Sequence, residues 1–218
     1  MNMLVQNWED LAPAERAALL QRPAVADDTR IREATSALIT EVRDRGDAAL
    51  RELTARFDGV TVDNLRVDED EVAAAEAALE ARQLAAIDLA IANVRRFHEA
   101  QRPDPIRVET MPGVVCERVS HPLDAVGLYV PAGTAPLPSA AIMLAVPAVI
   151  AGCPTRILCT PPRSDGTADP AVVVAARRGG VEKIFKVGGA QAVAAMAYGT
   201  QTIPKVNKIF GPGNAWVT

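Results

Sequence analysis

The stretch TRILCTPPRSDGTADPAVVVAARRGGVEKIFKVGGAQAVAAMAYG, residues 155–199, decides the fold class because two apolar patterns alternate along it. Short, continuous apolar runs at 156–160 and 183–187 are typical of strands that are covered on both faces of a sheet. The Ala-rich segments at 170–178 and 190–198 have the length and spacing of helices. Strands separated by helices pair in parallel through right-handed crossovers, since no tight turn joins parallel neighbours. The stretch therefore predicts an α/β fold.

The same alternation continues on both sides of this stretch. We expect a strand at 125–130, a helix at 139–151 that Pro147 would kink or split, and a final strand at 206–210. The sequence therefore predicts an open, mostly parallel, Rossmann-like sheet flanked by helices over residues 125–218.

The chain before this sheet has a different character. Residues 1–104 are rich in Ala, Glu, Arg and Leu and predict a helical region. Patterns at 106–109 and 114–119 predict two strands in a connecting segment, residues 105–124. Composition thus divides the chain into a helical region, connecting strands and an α/β domain.

Helix boundaries in the first region follow from its acidic residues. Asp27 or Asp28 can cap one helix, Asp47 the next, and Asp68 a third that follows a short extended piece at 65–67. The residues expected to point inward from the second of these helices are Leu50, Leu53 and Phe57. The strongest amphipathic stripe belongs to a later helix and consists of Leu84, Ile87, Ile91, Val94 and His98.

Composition excludes several classes of partner. The 218 residues are 49% hydrophobic and carry a net charge of −4, with no basic block that would bind nucleic acid or anionic lipid. The longest apolar stretch, residues 140–153, is shorter than the ~20 residues that span a bilayer, and no secretory signal opens the chain. The cysteines, Cys116, Cys153 and Cys159, suit buried thiols better than a disulfide framework. We expect a cytoplasmic protein.

Three predicted strands end in glycine-bearing turns. These turns are residues 129–133, 188–191 and 211–214. Ligands of open α/β sheets bind at the carboxyl ends of strands, where glycine lets the backbone approach and helix amides attract phosphate. The last turn does not complete the dinucleotide fingerprint, because Trp216 stands in place of the third glycine. Together the turns favour a nucleotide-sized ligand, although each alone is also a common structural turn.

Acid–base and metal-binding candidates are scarce in this sequence. His98 lies on an apolar helical stripe, which favours a packed interior histidine over a catalytic one, and His121 precedes Pro122 in a segment between strands. The two histidines are not at metal-ligand spacing from each other or from a cysteine. The acidic run at 68–71 is explained by the first turn of a helix. The residues alone predict a ligand-binding α/β domain with a helical region.

Long segments of the chain resemble the histidinol dehydrogenase family. The resemblance is carried by VGLYVPAGTAPLPSAAIMLAVPAVIAGC (126–153), FKVGGAQAVAAMAYGT (185–200) and PKVNKIFGPGNAWVT (204–218). RGDAALRELTARFDG (45–59) and ANVRRFHEAQ (92–101) resemble the N-terminal helices of that family. One departure is Ala132, where many members have a second glycine. The resemblance covers most of the chain, in order, and identifies it as the N-terminal portion of such an enzyme.

The resemblance implies a homodimeric zinc enzyme that oxidises L-histidinol through L-histidinaldehyde to L-histidine with two NAD, the last step of histidine biosynthesis. The NAD contacts of the family fall on Tyr129, Gln191 and Asn214, one at each glycine-bearing turn. The zinc ligands and catalytic residues of the family lie after the sequence that ends this chain, so we expect them beyond Thr218. The 218-residue chain alone is therefore predicted to be an inactive fragment.

Two other interpretations are compatible with the residues. One is a stand-alone, non-catalytic nucleotide-binding or interaction module. The other is an unrelated α/β protein in which the glycine turns are only structural.

Overall fold

The computed structural model describes residues 6–20, 29–132 and 135–213. The strands in these ranges are β1 (Ile106–Met111), β2 (Val114–Arg118), β3 (Ala125–Tyr129), β4 (Thr155–Thr160), β5 (Lys183–Lys186) and β6 (Lys208–Phe210). The α-helices are α1 (Pro13–Leu20), α2 (Thr29–Arg45), α3 (Asp47–Phe57), α4 (Glu69–Ala77), α5 (Ala81–Glu99), α6 (Pro138–Ile150), α7 (Pro170–Arg178) and α8 (Gly189–Tyr198). A 3-10 turn, Trp8–Asp10, precedes α1. Within the described ranges, no helix is both long and apolar enough to cross a membrane.

The central sheet is parallel and has the strand order β5-β4-β3-β6. The chain moves outward from β3 through α6 to β4 and through α7 to β5, and then returns over α8 to β6 on the other side of β3. The strand order therefore reverses between β3 and β6. The predicted parallel α/β architecture is confirmed, and this reversal is the kind of point at which such sheets bind ligands.

Both faces of the sheet are covered by helices, because successive residues of a strand point to opposite faces. Ile184 faces a core shared with α4, α5, α6 and α7, whereas the next residue, Phe185, faces a core shared with α2, α3 and α8. These two layers explain the continuous apolar runs of the central strands. Each core contains residues from before and after residue 104, so the division of the chain at that residue stays a prediction based on composition.

A short extended segment, residues 65–67, lies along the outer edge of β5. The Val67 N–H donates to the Ile184 carbonyl at 2.9 Å, and the Lys186 N–H donates to the Leu65 carbonyl at 2.7 Å. The extended piece predicted before Asp68 thus becomes an antiparallel addition to the parallel sheet. Through it, the helical region is hydrogen-bonded directly to the sheet.

The helix ends confirm some of the expected details and correct others. The Asp68 carboxylate accepts from the Glu71 N–H at 2.8 Å and caps α4, as predicted. Asp47 is instead the first residue of α3, after an N-cap at Gly46, and its carboxylate accepts from the backbone and hydroxyl of Thr202. The predicted caps Asp27 and Asp28 lie outside the described residues.

The expected inward direction of Phe57 was wrong, and of the kink or split expected at Pro147 the split does not occur. Phe57 is 55% exposed rather than inward, because α3 ends at this residue and its last turn extends past the core. Helix α6 is not split at Pro147 but continues through it as one helix. Leu50 and Leu53, on the same helix as Phe57, are buried as predicted.

The connecting segment contains an antiparallel hairpin, β1 paired with β2. Gly113 provides the turn with a φ of 81°. All residues of both strands are exposed, including the apolar side chains of Ile106, Val108 and Val114. Cys116 lies on this hairpin and is exposed, so the prediction of a buried thiol was wrong there, whereas Cys153 and Cys159 are buried.

Candidate functional site at the carboxyl edge of the sheet

The candidate site begins where β3 and β6 end side by side. Tyr129 is the last residue of β3, and Gly211 directly follows β6. A Cβ atom on Gly211 would lie 2.2 Å from the Tyr129 carbonyl oxygen and 2.8 Å from the Tyr129 Cβ. Only glycine permits backbone contact this close. The backbone that follows β6 therefore packs directly against Tyr129. This contact lies at the point where the strand order reverses.

The Tyr129 side chain crosses the carboxyl edge and reaches the start of α8. Its ring is buried in the core shared with α2, α3 and α8. The Tyr129 hydroxyl oxygen accepts a hydrogen bond from the Gly189 N–H at 2.9 Å. Burial raises the pKa of Tyr129, so the phenol is neutral at physiological pH and its own proton can be donated to a ligand.

The Gln191 side chain also lies against Gly189. It is the third residue of α8 and only 2% exposed, and its side-chain amide makes no hydrogen bond within the described residues. Its Oε1 lies 2.7 Å from the position that a Cβ on Gly189 would occupy, and Gly189 has a φ of 62° that favours glycine. This amide is available to both donate to and accept from a bound molecule.

The beginning of α8 adds an electrostatic preference to this corner. The N-cap residue is Gly188, which has no side chain to bond the first amides of the helix. Unsatisfied N–H groups at a helix start attract negative charge. A phosphate group is therefore favoured beside the Gln191 amide.

The structure thus brings together two of the three predicted contact residues. Tyr129 and Gln191 both lie against Gly189. Tyr129 ends β3 and Gln191 lies in α8, which follows β5, so the two residues come from strands that are separated by β4. The third predicted residue, Asn214, lies outside the described residues, which end at position 213.

One partly buried acidic residue whose charge affects Tyr129 was missed by the sequence reasoning. Asp58 directly follows α3, and its N–H donates to the Thr54 carbonyl at 2.8 Å. Its Oδ2 is shielded from solvent and has no hydrogen-bond partner among the described residues, and burial raises the pKa of the carboxyl. The charge of Asp58 in turn contributes to raising the pKa of Tyr129. The signal available in the sequence was a single acid between a helix and Gly59, a pattern that also fits an ordinary helix end.

The two histidines lie outside this corner. His98 is only partly buried on α5, and its ring meets edge-on that of Phe97, which is 68% exposed, so the expected packed interior histidine is not found there. His121 is exposed at the rim of an apolar pocket of about 300 Å³ between α6 and the strands β3 and β6. Within the part of the chain that the structure describes, no cluster of three His, Cys, Asp or Glu side chains could hold a metal ion.

Comparison with known proteins agrees with this architecture. A sequence profile described as histidinol dehydrogenase matches residues 20–218. Histidinol dehydrogenase from Xanthomonas euvesicatoria is 54% identical over 99% of this chain and 50% of its own length. The corresponding values for histidinol dehydrogenase from Vibrio vulnificus are 50% identity, 97% and 48%.

The structural comparison gives the same result. The crystal structure of histidinol dehydrogenase from Elizabethkingia anophelis has a TM-score of 0.88 and 38% identity, over 95% of this chain and 48% of that protein. The chain therefore spans about half the length of the relatives that it matches. On the profile, the sequence identities and the shared fold, the chain belongs to the histidinol dehydrogenase family.

Proposed function

We propose that this chain forms part of the NAD site of an enzyme that oxidises L-histidinol through L-histidinaldehyde to L-histidine. The observation that carries the proposal is the convergence of Tyr129 and Gln191 on Gly189 at the carboxyl edge of the sheet. The family to which the chain belongs supports the substrate and the place of the reaction at the end of histidine biosynthesis. We also propose the homodimer that the resemblance implies and the cytoplasmic location that the composition predicts.

The described residues fit NAD. The site offers one hydroxyl that can donate, one unpartnered amide, and a helix start that favours phosphate. Asn214 would add a second amide from the turn after β6. NAD, when bound, accepts the hydride. The residues of this chain bind and orient the cofactor in this proposal, and we assign them no proton transfer.

The described residues do not fit zinc, because they contain no suitable cluster of ligands. We propose that the zinc ligands and the acid–base residues belong to the half of the relatives' length that this chain does not match. This chain would then contribute to cofactor binding and the other half to the chemistry.

A direct test is the activity of the purified 218-residue chain. We expect no NADH from L-histidinol and NAD at any zinc concentration, measured by absorbance at the wavelength specific to NADH. The full-length Xanthomonas euvesicatoria relative, purified in parallel, serves as the positive control. Zinc-dependent NADH production by the 218-residue chain would contradict the division of roles.

Substitutions at two of the proposed contact positions test the NAD site itself. Tyr129→Phe removes the hydroxyl that joins β3 to α8, and Asn214→Ala removes the amide after β6. Each loses about one hydrogen bond, about 1 kcal/mol, so we expect the Kd of NAD to rise roughly five-fold in calorimetric titrations.

The matched control is Tyr198→Phe, which removes a hydroxyl from a half-exposed tyrosine at the other end of α8. This variant should bind NAD as the parent chain does. If Tyr129→Phe and Asn214→Ala also bind NAD like the parent, the site has been assigned to the wrong residues.

A further inference from the structure

Strand β6 has an outer edge without a neighbouring strand among the described residues. Just before β6, the Asn207 N–H donates to the Ala125 carbonyl at 2.9 Å, in the direction of β3. Successive N–H groups of a strand point in alternate directions, so those of Lys208 and Phe210 point away from β3. The open edge of β6 can therefore form hydrogen bonds with another strand.

Helix α6 has an apolar stripe that its neighbours in the fold leave uncovered. Met143 and Pro147 of the helix and Ala151 at its end recur at a spacing of four, which places them on one face. Met143 is 55% exposed. The only polar side chain of α6 is Ser139, and helices that are apolar all round are typically buried on every side. The uncovered stripe therefore favours a further contact.

The stripe and the edge strand meet at the apolar pocket of about 300 Å³ between α6, β3 and β6. Phe210 lines it from β6 and Leu123 from the segment before β3, and these side chains are 40% and 38% exposed. No Asp, Glu, Lys or Arg is found among the described residues that line it. We call the pocket, the stripe of α6 and the open edge of β6 the α6–β6 groove. An apolar surface without charge is typical of the centre of a protein–protein interface.

The length of the relatives indicates what covers the groove. The chain spans 50% of histidinol dehydrogenase from Xanthomonas euvesicatoria. The described residues end at position 213, shortly after β6, so the polypeptide that continues in the relatives starts beside the open edge.

We propose that the α6–β6 groove is the docking site of the half of histidinol dehydrogenase that this chain does not match. A strand of that half pairs along β6, and its apolar side chains fill the pocket beside Met143 and Phe210. One end of this strand lies beside Gly211, which contacts Tyr129. The groove therefore joins the candidate site to the other half, and the inference does not depend on which cofactor binds there.

Hydrogen exchange tests the pairing along β6. It is measured at single amides in the 218-residue chain and in the full-length Xanthomonas euvesicatoria relative, at the aligned positions. The amides of Lys208 and Phe210 should exchange at least about ten-fold more slowly in the full-length protein, because a docked strand accepts from them. The amide of Asn207 is the matched control, since its bond to Ala125 protects it in both proteins.

Cross-linking identifies the occupant of the groove. A photoreactive benzophenone side chain is placed in the full-length relative at the position aligned with Met143, and the cross-linked peptide is mapped by mass spectrometry. We expect a peptide from the half that the 218-residue chain does not match. The control is the position aligned with Leu89, which is 64% exposed on α5 and does not line the groove, and it should not give this product.

Equally fast exchange at the two β6 amides in both proteins overturns the inference. A cross-link from the Met143 position to the matched half identifies a second copy of the chain as the occupant and also overturns it. The absence of any cross-link at that position leaves the groove uncovered and has the same consequence.

Discussion

Phe185→Ala is expected to lower the free energy of unfolding by about 3–5 kcal/mol. Among the described residues, Phe185 is the largest fully buried side chain, and it lies in β5, in the core shared with α2, α3 and α8. Truncation leaves a cavity that the surrounding residues, including Leu50 and Leu65, can fill only in part. Urea denaturation followed by circular dichroism measures the change.

Phe97→Ala is the matched control for this experiment, because it makes the same substitution at a phenylalanine that is 68% exposed. Its effect should stay within about 0.5 kcal/mol, as expected for a surface position. Equal midpoints for the two variants would mean that the core containing Phe185 is not packed as described.

Glu71→Ala is expected to cost about 3 kcal/mol, because it leaves a charged group buried without its partner. The Lys186 Nζ lies 2.7 Å from the Glu71 Oε2, and both side chains are largely buried. The other carboxylate oxygen of Glu71 accepts from the Ala168 N–H at 2.8 Å. The substitution therefore breaks two contacts that join α4 to the end of β5 and to the loop before α7.

Glu69→Ala provides the comparison for this ion pair. Glu69 lies in the same turn of α4 and pairs with Arg177, but its side chain is 72% exposed. Surface pairs contribute little, so a loss below about 1 kcal/mol is expected. If thermal or urea unfolding shows the same loss for both glutamate variants, the Lys186 pair is solvated rather than buried.

Much of the architecture could be predicted from local pattern. The helix at 170–178 has its predicted bounds, and the strands at 156–160 and 183–187 differ from prediction by one residue at an end. These elements have capping or breaking residues such as Asp169 and Gly188 at their borders, and their apolar periodicity is strong. Parallel pairing followed from the alternation itself.

The missing parts depend on contacts between residues distant in sequence. Residues 65–67 pair with β5 more than 110 positions later, and no local pattern identifies that partner. Asp47 was predicted as a helix cap because that role requires only neighbours, whereas its carboxylate bonds Thr202 across the fold. Exposure of Cys116 likewise depends on the hairpin lying away from both cores, which composition does not encode.

The candidate site was predictable as a region but not in its detailed contacts. The rule that ligands bind at strand carboxyl ends selected the turns of Tyr129 and Gln191. The hydrogen bond between the Tyr129 hydroxyl and the Gly189 N–H depends on the strand order. Tyr129 ends β3, Gly189 follows β5, and only β4 lies between these two strands. Asp58 belongs to no strand end and therefore escaped this rule, although its charge contributes to raising the pKa of Tyr129.

The segment at 65–67 also affects how the sheet can associate with other chains. An uncovered edge strand is a template for intermolecular pairing, and hence for aggregation. On the β5 side, the backbone groups of Ile184 and Lys186 are already bonded to residues 65–67. Among the described strands, β6 is at the opposite edge, and it is only three residues long and begins with Lys208. Within the described residues, the four-stranded sheet therefore has one short edge, β6, open to strand addition, while its other edge is already paired with residues 65–67.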